Sequence, residues 1–141
     1  MVTVRNGVVE ELERRVKGPV VLPGDPKYDE VRTIWNAMIN RRPAVIVQCK
    51  GPDDVPHAIQ YARQHGLEIS VRGAGHNIAG NAVCEGGVMI DLSLMKSVRV
   101  DAAKRRAYAE PGATLADFDK AVQAYGLATP VGINSTTGIA G

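Results

Sequence analysis

The residues Ser70-Val71-Arg72-Gly73-Ala74-Gly75-His76-Asn77-Ile78-Ala79-Gly80 (SVRGAGHNIAG) set three glycines around a single histidine, directly after a short apolar run. Two kinds of chemistry suit such a stretch. Successive backbone N–H groups in a glycine-containing turn can form a concave nest for an anion such as a pyrophosphate, and the missing Cβ atoms let the ligand come close. An imidazole beside that nest is a nucleophile in its neutral form near physiological pH. A loop that merely needs positive φ angles would carry the same glycines, and a solvated loop histidine the same imidazole. On these residues alone both alternatives stay open.

Two phosphate-binding motifs are excluded. A Rossmann fingerprint requires G-x-G-x-x-G opening a helix, with an acid about twenty residues further on. Gly73 and Gly75 supply the first pair and Asp91 stands at a suitable distance, but the third glycine position is Ile78 and the following NAVCEGG cannot be the required helix. A P-loop fails because no Gly-Lys-Ser/Thr triplet is present. Asp91 is expected to serve as a cap or salt-bridge residue, and His57 and His65 as solvated side chains.

The elements around the loop explain its position. AVIVQCK (44–50) is a β-branched run of the buried-strand kind, and Gly51-Pro52-Asp53-Asp54 places a proline and early acids where a helix starts. Val55, Ile59 and Ala62 then recur at helical spacing, Gly66 supplies a left-handed stop, and LEISV (67–71) is again strand-like. The spacing predicts strands 45–49 and 68–72 flanking a helix over 52–65, a β-α-β unit with a parallel pair and a right-handed crossover. The glycine loop thus falls at the C-terminal end of a parallel strand, where open α/β sheets bind ligands.

After the loop the spacing shortens. VMIDL, SVRVD and RAYAEP predict a smaller antiparallel group over residues 88–110, the last two strands forming a hairpin around Ala102-Ala103-Lys104-Arg105. Thr114 caps a helix over 115–125, with Asp117 completing an imperfect capping box, Leu115, Phe118, Val122 and Tyr125 on the buried face, and Gly126 as its end. The tail LATPVGINSTTGIAG brings no closing element. Before the β-α-β unit, residues 8–16 form an amphipathic helix, VVLPGDPKYDEV a loop, and residues 28–40 a helix covering Trp35 and Met38, stopped by Arg41-Arg42-Pro43. The expected fold class is α/β (α+β).

The 141 residues, 45% of them hydrophobic, suffice for one domain with one core. The net charge is only +2, and the short basic pieces Arg41-Arg42 and Lys104-Arg105-Arg106 lie far apart without interleaved aromatics, so no nucleic-acid partner is expected. Acidic residues interrupt the N-terminal stretch where a secretory peptide needs an apolar core, and no run approaches the ~18 apolar residues of a membrane span. A soluble, cytoplasmic protein with no membrane partner is expected. Cys49 and Cys84 form no CxxC and are expected to be small, reduced, buried hydrophobes. No metal site is expected.

From Ala44 to Gly141 five ordered blocks occur together: P-x-x-I-V-Q-C before Pro52, the Arg72-Gly73-Ala74-Gly75-His76 loop, GGVMIDLSLMKSVRVD, EPGATLADF, and ATPVGINSTTGIAG. In this the chain resembles the first half of the FAD-binding domain of the vanillyl-alcohol oxidase / p-cresol methylhydroxylase (PCMH) superfamily, in particular the berberine bridge enzyme-like FAD-linked oxidoreductases. The resemblance implies that backbone groups of Arg72, Gly73, Ala74, Gly75, His76 and Asn77 hold the FAD pyrophosphate, and that His76 is bonded covalently to the flavin 8-methyl carbon. It further implies that Gly132, Ser135, Thr136, Thr137 and Gly138 run along the flavin, and that Gly112, in Pro111-Gly112-Ala113-Thr114, belongs to an FAD-facing turn. A plain strand-to-helix connection would explain that turn nearly as well. Doubly linked relatives carry a cysteine where Asn134 stands here, so a second flavin bond is not expected.

The resemblance divides the chain into an N-terminal helical extension (1–43) and a flavin-binding core (44–141), with the substrate domain and the catalytic base lying beyond it. The implied parent is an oxidoreductase that takes a hydride from an alcohol, sugar or related small-molecule donor. The alternative is a non-catalytic FAD- or nucleotide-binding module without turnover as an isolated fragment. Self-association through exposed apolar surface is expected of the isolated chain.

Overall fold

A computed structural model describes residues 8–140; the first seven residues of the N-terminal extension and Gly141 of the tail lie outside the described residues. In chain order the elements are α1 (Val8–Arg15), β1 (Val20–Val21), α2 (Tyr28–Arg32), β2 (Val45–Gln48), α3 (Asp54–Gln64), β3 (Ile69–Arg72), β4 (Val88–Asp91), β5 (Val98–Asp101), β6 (Arg106–Ala109) and α4 (Leu115–Gln123). Four strands form one sheet in the order β1-β2-β4-β3, and β5 and β6 form a separate two-stranded sheet.

The expected β-α-β unit is present, with one difference in its spacing. β2 and β3 run parallel, but each pairs with β4, which lies between them. The crossover through α3 therefore leaves a gap one strand wide, and Val88–Asp91 fills it instead of joining the antiparallel group expected over 88–110. All four residues of β4 are buried. A strand with both faces covered is a continuous apolar run rather than an alternating one, and VMI is such a run. Only β5 and β6 form the antiparallel pair, with Val98 opposite Ala109, Asp101 opposite Arg106, and the turn at residues 102–105 as expected. The cross-strand partners Arg99 and Tyr108 stack, the guanidinium 4.4 Å from the ring centroid.

Period-two alternation sorts the core onto the two faces of the large sheet. Val45, Val47, Val88 and Ile90 pack with α1 and α3 through Val9, Leu12, Ala58, Tyr61 and Ala62. Ile46 and Met89 point the other way and pack with Tyr28, Ile34, Ala82 and Val83. Asp54, buried in the first turn of α3, accepts hydrogen bonds from the N–H groups of Lys17, Gly18 and Lys50 and so ties the end of the α1 connection to the end of β2. Burial opposes the charge on this carboxylate, but the three N–H donors outweigh it and hold Asp54 below the ordinary aspartate range. Cys49 and Cys84 are buried free thiols, and burial pushes Cys49 up to about 12.

Three local expectations are corrected. VVLPGDPKYDEV is not all loop, because Val20 and Val21 pair antiparallel with Val47 and Ile46 as β1. α4 stops at Gln123, leaving Tyr125 57% exposed rather than on the buried face. The helix expected over 28–40 ends at Arg32, where Thr33 turns extended, and Trp35 and Met38 stand 65% and 91% exposed instead of covered. Among the described residues no helix is long and apolar enough to cross a membrane.

Candidate functional site

β3 and β4 end side by side, with Arg72 opposite Asp91. Asp91 is fully buried; it accepts from Gln48 Nε2 and from Ser93 N–H, each at 3.0 Å, and its Oδ1 lies 3.7 Å from Arg72 Nε. The Arg72 Nη1 group donates to the Val31 carbonyl. The Arg72 side chain thus braces the root of the glycine loop, and what the loop offers is its backbone.

That backbone has donors to spare. Among the described residues no protein acceptor takes the N–H of Ala74, Gly75, His76 or Asn77. Gly75 sits at φ +81°, in the left-handed region that glycine adopts freely. Asn77 closes the loop: its carbonyl accepts from Gly80 N–H at 3.1 Å and its Oδ1 from Asn81 N–H at 3.0 Å. Beside it lies an open cavity of about 130 Å³ lined by Gly73, Gly75, His76, Asn77 and Ala140, among others. Ligand pockets commonly run to about 300–1,000 Å³, so this one suits part of a dinucleotide, and four consecutive free donors suit its pyrophosphate.

The tail returns to this loop. Gly138 N–H donates to His76 Nδ1 at 3.2 Å. A Cβ built on Gly138 would lie 2.5 Å from Ala74 Cβ, and one on Gly73 would lie 2.5 Å from the Pro111 carbonyl oxygen and 3.2 Å from that of Ala140. Ile139 N–H donates to Ala113 O at 2.9 Å, and Gly138 bridges Thr114. Three separated segments, 72–77, 111–114 and 138–140, therefore touch one another; Gly73, Gly75, His76, Asn77 and Ala140 of these line the cavity, and residues 111–114 lie behind that lining.

The remaining residues singled out from the sequence do not line the cavity. Gly112 is buried beneath it, its N–H donating to Met95 O at 2.8 Å. Ser135 and Thr137 give their carbonyls to the N–H groups of Ala116 and Leu115, each at 2.9 Å. Thr136 Oγ1 bonds Asn134 Oδ1 at 2.9 Å, and Gly132 is exposed near Leu115.

Thr114 completes the N-terminus of α4. Its Oγ1 accepts from Asp117 N–H, while the Asp117 carboxylate accepts from Thr114 N–H and Oγ1, a full capping box. Those two bonds hold Asp117 below the ordinary aspartate range. With its first N–H groups taken by the tail and by its own cap, α4 offers no anion site.

The segment after α2 also reaches the loop, which the sequence did not reveal. Trp35 N–H donates to Gly75 O at 3.0 Å, Asn36 Nδ2 to Ile78 O at 2.8 Å, and Arg41 Nη1 to Gly80 O and Val83 O at 3.1 Å. In a continuous helix Trp35 N–H would bond the Val31 carbonyl; here Arg72 occupies that carbonyl and Gly75 takes the N–H. Val31, Ile34, Trp35, Met38 and Ile39 stand at helical spacing, so periodicity alone points to a helix and carries no signal of this exchange.

The sequence and fold are shared with known proteins. Over 126 residues the chain is 37% identical to (R)-6-hydroxynicotine oxidase of Paenarthrobacter nicotinovorans, covering 89% of this chain and 28% of the relative. The crystal structure of 6-hydroxy-D-nicotine oxidase from Arthrobacter nicotinovorans superposes with a TM-score of 0.84 over 88% of this chain and 27% of that one, at 37% identity. Phl p 4, a grass pollen allergen with glucose dehydrogenase activity, superposes at 0.83 over 94% of this chain and 30% of that one, at 26% identity. The berberine bridge enzyme-like protein 1 of Physcomitrella patens shares the fold, with a TM-score of 0.86 at 23% identity, over 95% of this chain and 29% of that one. The chain spans less than a third of the length of these relatives. Residues 43–141 match the FAD binding domain family, to which the chain belongs, and its cofactor is FAD.

Proposed function

We propose that this chain is the cofactor-holding part of an FAD-dependent oxidoreductase in which the N–H groups of residues 74–77 bind the FAD pyrophosphate and His76 is bonded covalently to the flavin 8-methyl carbon. The observation that carries the proposal is the His76–Gly138 contact. The contact holds the imidazole in one orientation at the edge of the glycine loop, and an imidazole nitrogen is a suitable nucleophile for such a bond. The same contact joins the glycine loop to the tail segment, so the ring stands between the two stretches that the resemblance assigns to the cofactor.

Bound FAD supplies the redox chemistry by accepting a hydride equivalent from the donor. The chain's residues bind and orient: the loop N–H groups offset the charge of the pyrophosphate, and Gly138 N–H holds the His76 ring in place. A sugar donor fits the glucose dehydrogenase activity named for Phl p 4, whereas 6-hydroxynicotine, named for the relative at 37% identity, is an amine and widens the donor class beyond alcohols and sugars. Small-molecule turnover belongs to the longer protein in which such a domain operates.

Intact-mass spectrometry after denaturation tests the covalent bond. The wild-type protein loaded with FAD is expected to carry the mass of the flavin through acid precipitation as a yellow pellet, and His76→Ala to bind FAD but release it on denaturation. Release of all flavin by the wild type under the same conditions would refute the bond while leaving the pyrophosphate site standing.

A further inference from the structure

We propose that Trp35 forms a wall of the cofactor site, offering its indole to the isoalloxazine ring beside His76; the inference rests on the placement of the flavin ring at His76 argued above. Trp35 is the single tryptophan of the chain and is 65% exposed. An exposed indole on a loose loop would mean little, but this one is pinned on both sides. Its own N–H donates to Gly75 O at 3.0 Å. The next residue, Asn36, donates to Ile78 O at 2.8 Å and accepts from Met38 N–H at 3.2 Å. The backbone carrying the indole is thus fastened to the same loop that carries His76.

The two rings are near neighbours, with centroids 6.2 Å apart and planes 32° from parallel. That separation lies in the range of interacting aromatic pairs, about 4.5–7 Å. Most of the indole surface still faces solvent. A flat ring brought up to His76 arrives next to this surface and covers it, removing apolar area from water and adding an aromatic contact. The adenine end of the cofactor lies across the pyrophosphate from His76 in the FAD molecule itself, so the isoalloxazine is the ring that reaches Trp35. The exchange of partners at Val31 is what makes this possible: a helix continued past Arg32 would turn the Trp35 N–H back to Val31 and away from Gly75.

The test compares two ligands on the chain and its Trp35→Ala and Trp35→Phe variants. One is 8-demethyl-FAD, which lacks the carbon to be bonded by His76 and so binds reversibly; the other is ADP, which has the pyrophosphate and adenosine but no isoalloxazine. Flavin fluorescence anisotropy and calorimetry give the two affinities. Trp35→Ala is expected to weaken 8-demethyl-FAD about tenfold while ADP changes by less than about twofold, and Trp35→Phe to retain most of the flavin affinity. Parallel loss of both ligands would assign Trp35 a merely structural part in the loop and overturn the proposal, as would unchanged flavin affinity in Trp35→Ala. If the wild-type chain binds ADP alone, the placement of the flavin at His76 fails together with this inference; if it binds neither, the pyrophosphate site fails as well.

Discussion

His76 Nδ1 and the backbone N–H of Gly138 meet at 3.2 Å, although 62 positions separate the two residues. The contact is specific in a way that neither segment achieves alone. Gly138 approaches so closely because it has no Cβ: one built there would lie 2.5 Å from Ala74 Cβ. The tail is held against the loop by this packing, by Ile139 N–H on Ala113 O, and by the carbonyls that Ser135 and Thr137 give to α4.

Gly138→Ala should therefore separate the tail from the loop. Overpacking of this kind costs about 1–3 kcal/mol, read as a lower midpoint in urea unfolding. Ala74→Gly removes the opposing Cβ, so the double variant should recover part of that loss. Strict additivity of the two substitutions would show that the clash is relieved elsewhere.

Asp54 gives the chain an acid-sensitive element. Its folded value is depressed, so the stabilisation it provides is present above the unfolded aspartate value of about 3.9 and is lost as pH falls through the lower folded value. Asp54→Asn should cost about 1.5–3 kcal/mol at neutral pH, the range for hydrogen bonds to a charged group. The gap between variant and wild type should then narrow below pH ~4. A pH-independent gap in urea titrations would assign the loss to shape rather than charge.

Much of this arrangement is legible in the sequence, and the parts that are not have local causes. The 45–72 β-α-β spacing, the hairpin around 102–105 and the cap at Thr114 follow from short-range signals, and the structure has all three. The place of β4 does not, because a three-residue apolar run is compatible with an edge or a central strand until its neighbours are known. Residues 33–40 mislead for a different reason. Their helical spacing is real, but Arg72 and Gly75 compete for the hydrogen bonds a helix needs, and both lie more than thirty positions downstream. At the site, the glycines and His76 stand out by type and spacing; the Gly138 contact and the Trp35 strap are tertiary and leave no local mark.

Cys49 should be chemically silent in the native chain. Burial raises its thiol to about 12 and keeps it from solvent, and Cys84 is also buried. Thiolate is the reactive form, so neither thiol should react with iodoacetamide at neutral pH until the chain is unfolded, when both should. Modification of one thiol in the native state, located by peptide mapping, would show that its surroundings open locally.

The glycine loop offers the most direct test of the anion nest, provided strain and ligand approach are separated. Gly75 has φ +81°, and a Cβ there would lie 3.2 Å from Arg72 Nε. Gly66 has φ +62°, and a Cβ there would meet nothing within 4 Å. An alanine at either position is forced into the left-handed region, which costs roughly 1–2 kcal/mol. Gly75→Ala and Gly66→Ala should therefore lose comparable stability in thermal or urea unfolding. Only at Gly75 does the added carbon stand beside the unpartnered N–H groups of residues 74–77, so only Gly75→Ala should also lose FAD, by at least tenfold in affinity at equal fractions folded. Equal FAD affinities for the two variants would mean that the pyrophosphate does not approach the chain at Gly75, and would move the nest away from this loop.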